Sequence, residues 1–382
     1  TEAGSRLWTN DGRGAFTDFT TEAALEGAVS ALQVLFSDFD NDRDIDFFIL
    51  GREKIQLFTN NRDGTFTDVA ATVGLSSIEP AIDICVEDFD QDQYMDLCLL
   101  NADGNLILYV NREGGQFAPA PSISVPLNEA RGLRPVDLDN DGDLDLALFG
   151  SSGIRLLSRR ADRFHLEDPI LLQGRDVGQL LCRDFDGDGR TDLWADGHLL
   201  RNQTEAGHWI KVVAQGLGSN RQAIGSKVEV KSVNRLQKQE VRDGEPLSFG
   251  LAAADSVEFV RILWPGGVRQ TELATNAGQT LSLTELDRKG TSCPIVYAWD
   301  GERFRFVSDI NGGAIIGYLL APNEYNTPDS DEYIRLGKIA PRDGRYVVKL
   351  ANQLEEIIYV DALQMVAVDH PRGVDIYPNE RL

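Results

Sequence analysis

The sequence predicts an all-β protein in which a β-propeller segment is followed by small β-sandwich-like domains. Three observations predict it. An Asp-x-Asp-x-Asp-x-x-x-Asp loop recurs four times, beginning at Asp38, Asp88, Asp137 and Asp184, with spacings of 50, 49 and 47 residues. Each loop runs into an apolar stretch of strand length rather than helix length: Phe47 to Leu50, Leu97 to Leu100, Leu146 to Phe149, and Leu193 with Trp194. A second recurring element follows, seen as Gln56-Leu57-Phe58-Thr59-Asn60, Ile107-Leu108-Tyr109-Val110-Asn111 and His198-Leu199-Leu200-Arg201-Asn202, with a weaker copy from Arg155 to Ser158. A unit of loop, strand, strand and strand repeated at this period is the sequence form of a four-stranded propeller blade.

A turn and a last strand close each unit. Asn61-Arg62-Asp63-Gly64-Thr65-Phe66 and Asn111-Arg112-Glu113-Gly114-Gly115-Gln116-Phe117 carry Gly where a hairpin needs positive φ. The stretch from Arg6 to Phe16 matches the second half of this unit with no first half before it, so the chain starts inside a blade. That phase, and the modest number of visible blades, predict a fragment of a longer polypeptide. The domain organisation expected is blades over 1–204, a small β-domain over 205–289 and a further β-rich domain over 290–382.

Composition narrows the class. At 382 residues, with 42% hydrophobic residues and 36 Gly, the chain has the makeup of a multidomain globular protein. No apolar run reaches membrane-spanning length, and nothing at Thr1 resembles a signal peptide. A formal net charge of -24 disfavours nucleic acid and anionic lipid as partners. The cysteines Cys85, Cys98, Cys182 and Cys293 are too sparse for a disulfide framework. Buried free thiols and a Cys85–Cys98 bridge both remain open; the apolar Leu35 and Phe48 at equivalent positions of the first repeat favour thiols.

Much of the negative charge is gathered in the four loops, and four like charges at such spacing demand a cation. The candidate ligands stand at positions 1, 3, 5 and 9: Asp38, Asp40, Asp42 and Asp46; Asp88, Asp90, Asp92 and Asp96; Asp137, Asp139, Asp141 and Asp145; Asp184, Asp186, Asp188 and Asp192. Position 2 (Phe39, Phe89, Leu138, Phe185) is expected to turn into the core as an anchor. The tolerance at position 7 (Asp44, Tyr94, Asp143, Arg190) fits a backbone carbonyl ligand there. Hard oxygen donors in a flexible cage select Ca²⁺ at about four sites, over Mg²⁺ and over Zn²⁺, since the loops hold no His or Cys. An EF-hand would need a twelfth-position Glu and flanking helices, and neither is present. Position 6 is Gly142 and Gly189 in the last two loops but Arg43 and Gln93 in the first two, which predicts weaker binding at those two.

These loops and hairpins resemble FG-GAP (VCBS) repeats of integrin-α-type propellers over about 1–204. The next stretch resembles the ASPIC/UnbV domain of the cartilage acidic protein family and bacterial exported relatives, through Gly218-Ser219-Asn220-Arg221-Gln222-Ala223-Ile224-Gly225, Val228-Glu229-Val230 and Ile262-Leu263-Trp264-Pro265-Gly266-Gly267. That family has a Gly-Leu-Gly element where this chain reads Gly250-Leu251-Ala252, which predicts the loss of a close backbone approach. The tail resembles a segment seen after this domain, in Cys293 to Gly301 and Phe304 to Val307; Tyr346 to Leu350 and Ile357 to Val368 read as strands, and Gly312 to Glu332 as a loop.

The resemblance implies a calcium-stabilised binding or scaffold protein with a protein or glycan partner, extracellular, periplasmic or cell-envelope associated, as a part of a larger assembly. The roughly 10⁻⁴–10⁻³ M affinity of extracellular calcium modules agrees with that compartment. The alternative is a calcium-dependent enzyme of cyclase or lyase type using the propeller funnel. No catalytic residues are assigned, because His165, His198, His208 and His370 fall in no ligand or triad pattern and no Gly-x-Ser-x-Gly, P-loop or dinucleotide motif occurs. Tyr297, Trp299 and Trp264 are expected in the core rather than on a carbohydrate-stacking surface. The polar, aromatic stretch from Asn311 to Glu332 is a candidate binding loop, and Asn202-Gln203-Thr204 is a formal glycosylation sequon.

Overall fold

A computed structural model describes residues 4–75, 81–101, 103–112, 115–125, 130–160, 163–168, 170–286, 294–310, 319–321, 324–325, 333–351, 360, 362–371, 373–374 and 376. The described chain is all-β. A two-stranded ribbon, β1 (Trp8–Asn10) and β2 (Phe16–Asp18), precedes four sheets of blade form. The first blade is β3 (Gln33–Ser37), β4 (Asp46–Leu50), β5 (Ile55–Asn60) and β6 (Phe66–Asp68), paired in that order. The second is β7 (Ala81–Glu87), β8 (Asp96–Asn101), β9 (Asn105–Arg112) and β10 (Gln116–Pro119), with β11 (Ile123–Ser124) added beside β9. The third is β12 (Ala130–Val136), β13 (Asp145–Gly150), β14 (Gly153–Arg160) and β15 (Arg163–Leu166), and the fourth has three strands, β16 (Leu180–Arg183), β17 (Asp192–Ala195) and β18 (His198–Leu200).

In each blade the Asp loop joins the first strand to the second, and the ninth-position Asp opens that second strand: Asp46, Asp96, Asp145 and Asp192. The second strands are apolar on both faces where a blade is covered on both sides, by neighbouring blades or, for the first blade, by Ala23, Leu25 and Ala28. Asp46–Leu50, Asp96–Asn101 and Asp145–Gly150 are buried throughout. The cores therefore lie between blades. Phe48, Leu57, Leu97 and Phe117 belong to one cluster, Cys98, Leu133, Leu146 and Leu157 to the next, and Phe149, Leu180 and Leu193 to a third.

The first strand of every blade is a sheet edge, and edge groups must find partners. Gln33 in β3 donates to the Ile84 carbonyl and accepts from the Ile84 N–H, both at 3.1 Å. Asp83 in β7 accepts from Leu133 N–H at 2.9 Å and Arg134 Nη1 at 3.0 Å on β12. Neighbouring blades are thus stitched at their inner edges by side chains rather than by a continuous ladder.

The outer face of the first blade is covered in part by Ala23, Leu25 and Ala28, which bury Phe47, Ile49 and Phe58, but apolar side chains stay exposed at both ends of the array. Leu32, Val34 and Phe36 are exposed at one end, and Leu181, Phe185 and Leu199 at the other. Position 2 of the loops follows the same rule. Phe39 is buried against Phe117 of the second blade, and Phe89 against Phe164 of the third. Leu138 is partly buried, but Phe185 is 44% exposed, contrary to the sequence expectation, because the covering side chain comes from the next blade and none is described after the fourth.

The second domain is a two-sheet sandwich. One sheet is β22 (Leu247–Ala252), β19 (His208–Gln215) and β25 (Gln279–Thr284), with β19 and β25 parallel; the other is β21 (Arg235–Glu240), β20 (Lys227–Ser232), β23 (Ser256–Leu263) and β24 (Arg269–Asn276). Ile210, Phe249, Val260, Ile262 and Trp264 fill its interior, and Trp264 donates its ring N–H to Gln270 at 3.1 Å. Beyond it, β26 (Ile295–Trp299), β27 (Phe304–Asp309) and β30 (Val348–Ala351) form a sheet, and β28 (Leu319–Ala321) pairs with β29 (Glu324–Tyr325).

Several expectations change here. The stretch read as one loop from Gly312 to Glu332 contains the β28–β29 pair, and the remainder lies outside the described residues. The expected strand from Ile357 to Val368 is absent at 362–368, where Leu363, Met365, Val366 and Val368 are exposed: an apolar run becomes a strand only when another strand accepts its backbone. Tyr297 is buried and Trp299 packs edge-on to Phe304 with Arg342 over its face, so these aromatics belong to the core. Cys85 and Cys98 face each other across β7 and β8 as buried free thiols, and Cys182 is also free; Cys293 lies outside the described residues.

The departing residue, Ala252, still approaches the third Asp loop, its N–H donating to the Asn140 carbonyl at 2.8 Å. Gly250 lies so near the third Asp loop that a Cβ would collide with Asp137 Oδ2. Ala252 stands at φ 51°, a left-handed conformation that costs an L-residue roughly 1–2 kcal/mol. Ala252→Gly is therefore expected to stabilise the protein by about 1 kcal/mol after the entropy lost with glycine. Chemical denaturation measures it, and an unchanged or lower midpoint would show that the strain is already relieved.

Candidate metal centres

Each loop curls by the same means. Position 4 is left-handed in all four (Asn41 φ 60°, Gln91 φ 60°, Asn140 φ 55°, Gly187 φ 79°), and so is position 6 (Arg43 φ 80°, Gln93 φ 81°, Gly142 φ 89°, Gly189 φ 89°). Glycine suits position 6, and Arg43 and Gln93 hold it under strain. The curl turns backbone N–H groups inward. Oδ2 of the first Asp accepts the N–H of position 6: Arg43 at 2.9 Å, Gln93 at 3.2 Å, Gly142 at 3.0 Å and Gly189 at 2.7 Å. The third-position Asp accepts from position 5, as Asp40 does from Asp42 at 3.2 Å, and the fifth accepts from position 7, as Asp42 does from Asp44 at 2.9 Å.

The ninth-position Asp ties the loop to the third strand of its blade. One oxygen accepts from Asn60, Asn111, Arg159 or Asn202 N–H at 2.7–2.8 Å. In the last three loops the other accepts from the position 2 N–H at 3.0–3.1 Å. These bonds leave four of the loop carboxylates with one oxygen unused. Asp38 Oδ1, Asp46 Oδ2, Asp88 Oδ1 and Asp137 Oδ1 are buried with no hydrogen-bond partner. A buried charged oxygen without a partner is costly, so these atoms ask for a cation.

The structure gathers Asp38, Asp40, Asp42 and Asp46 with ligand atoms within 4.8 Å of one another. It does the same for Asp88, Asp90 and Asp96, for Asp137, Asp139 and Asp145, and for Asp184, Asp186 and Asp192. Asp92, Asp141 and Asp188 stand outside their groups, although the sequence expected them inside. Their carboxylates accept the position 7 N–H, and Asp188 is also gripped by the Arg190 guanidinium. All-oxygen, carboxylate-rich groups with orphaned inner atoms fit a hard divalent cation of the calcium kind.

Electrostatics agree. Burial, with the neighbouring carboxylates adding to it, lifts Asp46 and Asp96 to about 8 and Asp88 to about 7. Burial lifts Asp145 to about 7 as well and raises Asp137, Asp38 and Asp40. Asp184 is the exception. Burial pushes it up, but hydrogen bonds from Lys211 and from the Gly189 and Gly187 N–H groups outweigh that and hold it low.

Sequence reading missed what joins one loop to the next. The position 4 amide donates to the position 6 carbonyl of the following loop: Asn41 to Gln93 at 3.0 Å, Gln91 to Gly142 at 2.8 Å, Asn140 to Gly189 at 3.2 Å. The signal was available, since position 4 reads Asn, Gln, Asn, Gly down the aligned loops. Asn111, near the end of β9, and Asn202, two residues beyond β18, add bonds to the Phe39 and Leu138 carbonyls of the preceding loops, at 2.8 and 2.7 Å. The Asn202 amide of the sequon is thus engaged. A cleft of about 520 Å³ lined by Asp300, Glu302, Arg305, Gly337 and Lys338 lies in the last domain, and no residue of the Asp loops lines it.

With this geometry in view, the chain compares with known families as follows. The model of the FG-GAP-like repeat matches residues 38–99, 88–148 and 137–195, and that of ASPIC and UnbV matches 216–290. No curated protein matches. Among solved structures the chain is similar to a lectin from Agrocybe aegerita described as recognising non-reducing terminal N-acetylglucosamine (13% identity, 92% of this chain and 94% of that chain, TM-score 0.38). It is also similar to BBS1N in complex with ARL6DN (12% identity, 72% and 79%, TM-score 0.32). A third is the extracellular domain of a hybrid two-component system from B. thetaiotaomicron (10% identity, 72% and 40%, TM-score 0.32). At TM-scores this low the structural likenesses carry no argument.

The raised carboxylates set a sign for pH dependence. Their ordinary value is 3.8, and Asp46, Asp88, Asp96 and Asp145 sit at about 7–8 in the fold, so the metal-free folded state binds more protons than the unfolded chain between those limits. The stability this contributes is present at the acid end and lost as pH rises through 7–8. In EDTA the melting temperature is expected to fall between about pH 5 and 8, and excess calcium is expected to remove that slope. A melting temperature in EDTA that stays level or climbs over this window contradicts the desolvated carboxylates.

Proposed function

This chain carries FG-GAP-like repeats followed by an ASPIC and UnbV domain, and from that premise we propose that it is a calcium-stabilised, extracytoplasmic binding or scaffold protein. Domains of these kinds are typical of extracellular or envelope proteins, and no described helix is long and apolar enough to cross a membrane. The observation that carries the calcium part is the set of buried, unpartnered carboxylate oxygens on Asp38, Asp46, Asp88 and Asp137, each inside a group of converging acidic side chains. Asp40, Asp42, Asp90, Asp96, Asp139, Asp145, Asp184, Asp186 and Asp192 complete the ligand groups, and Asp92, Asp141 and Asp188 join them by turning their free oxygen inward.

A bound calcium ion supplies the positive charge that lets these carboxylates stay ionised while buried. The residues themselves do the rest. The loops hold the inner ends of the blades in register, through the position 4 amides, and so fix how the sheets stack. A rigid array of this kind displays loops for a protein or glycan partner, as an accessory subunit of an envelope assembly. Boundaries near 204 and 289 divide the blades, the ASPIC and UnbV domain and the tail.

Calorimetric titration of the chelated chain with CaCl₂ is expected to give about four ions, with dissociation constants of about 10⁻⁴–10⁻³ M. At about 10 mM calcium each site then adds roughly 1.4–2.7 kcal/mol of stability. Asp46→Asn and Asp96→Asn are each expected to remove one ion. A chain that takes up no calcium and melts identically in calcium and in EDTA sinks the reading.

A further inference from the structure

The Asp loops carry a cover, and the second domain supplies it. At the first loop, Lys227 Nζ of β20 meets Asp38 Oδ2, both side chains being buried, and Glu240 of β21 accepts the Asp38 N–H at 3.1 Å. Lys238 Nζ sits between the first two loops, 2.5 Å from Asn41 Oδ1 and 2.7 Å from the Gln93 carbonyl. Gln93 in turn donates to the Leu236 carbonyl at 2.9 Å. At the third loop, Arg235 Nη1 reaches the Asp141 carbonyl at 2.6 Å and Asp143 at 3.0 Å. Ala252 N–H donates to the Asn140 carbonyl at 2.8 Å, and Gly207 N–H to the Asp139 carbonyl at 2.7 Å. At the fourth, Lys211 of β19 pairs with Asp184, and Trp209 lies where a Cβ on Gly189 would stand.

Which atoms are used decides what the cover does. Lys227 takes the outer oxygen of Asp38, the one already receiving the position 6 N–H, and leaves Oδ1 unpartnered for a cation. Arg235, Lys238, Ala252 and Gly207 donate to carbonyls and a side-chain amide at positions 3 to 6, which reach those places only when positions 4 and 6 are both left-handed. A cation on the inner oxygens and the second domain on the outer rim therefore select one and the same loop conformation. Two ligands that select one conformation favour each other by equal factors. The ammonium groups oppose a cation by charge, but they hold the far side of the carboxylates, where part of that charge is already spent on Asp38 and Asp184.

The geometry points to the ASPIC and UnbV domain as a clamp on the metal loops: its docking and cation binding are linked, each strengthening the other, with Lys211, Lys227, Arg235 and Lys238 as positioning residues for the loops. This rests on the calcium reading above. It places the domain's role inside the molecule, as the element that converts calcium occupancy into a fixed arrangement of blades and second domain.

Amide hydrogen exchange on the full chain, in CaCl₂ and in EGTA, tests it. The Gly207 and Ala252 amides, which donate into the third loop, are expected to exchange at least about tenfold faster in EGTA, while Val230, paired inside the second domain's own sheet, does not change. The reciprocal arm uses Trp209→Ala, which alters no charge and no loop residue, and is expected to weaken one calcium by about tenfold in calorimetry. If calorimetry shows calcium binding but the two amides exchange equally in both buffers, or accelerate together with Val230, the clamp is overturned while the calcium reading stands. A wild-type isotherm for Trp209→Ala overturns it too. Absence of any calcium heat defeats the calcium reading instead.

Discussion

Like-charge crowding at the loops between first and second strands is the constraint on which the rest of this structure depends. Each blade begins its second strand with a fully buried or nearly buried Asp and gathers three more beside it in the first loop and two in each of the others. Backbone N–H groups neutralise one side of these carboxylates, and they can do so only because two residues per loop take the left-handed region. The other side is left to a cation. Crowded carboxylates and curled backbone are one device, since neither is tolerable without the other.

Inter-blade cohesion has two sources of different character. Apolar packing between second strands supplies bulk stability, at about 25 cal/mol for each Å² of apolar surface removed from water. Register comes from polar contacts at the inner edge and at the loops: Gln33 on Ile84, Asp83 on Leu133, and the ladder of position 4 amides. Such bonds add little net energy each, but an unmade one leaves a buried group unsatisfied, which forbids slippage. The buried Lys227–Asp38 pair works similarly. Desolvating two charges offsets much of their attraction, and what survives is a defined seat for the second domain on the first blade.

Legibility followed locality. The repeat period, the apolar second strands and the Asp positions were readable because they are set by residues within one blade, and alternation and spacing report these directly. Where an element depends on something remote in sequence, the reading failed. Phe185 is exposed although Phe39 and Phe89 are buried, since its cover comes from another blade; the apolar residues at 362–368 make no strand, since strands need partners. The approach at Ala252 is another case: the family pattern predicted its loss, whereas the bond from its N–H to the Asn140 carbonyl retains it.

The amino-acid order by itself determined an all-β repeat architecture with acidic loops suited to a hard cation, because hydrophobic period and like-charge clustering act over a few residues. Only the tertiary structure decided that Asp92, Asp141 and Asp188 stand outside the tightest carboxylate groups and that neighbouring loops are bonded amide to carbonyl. It also decided that strands up to 202 residues distant in the chain close over those loops. Contacts across such separations depend on how whole sheets dock, and no local pattern encodes that.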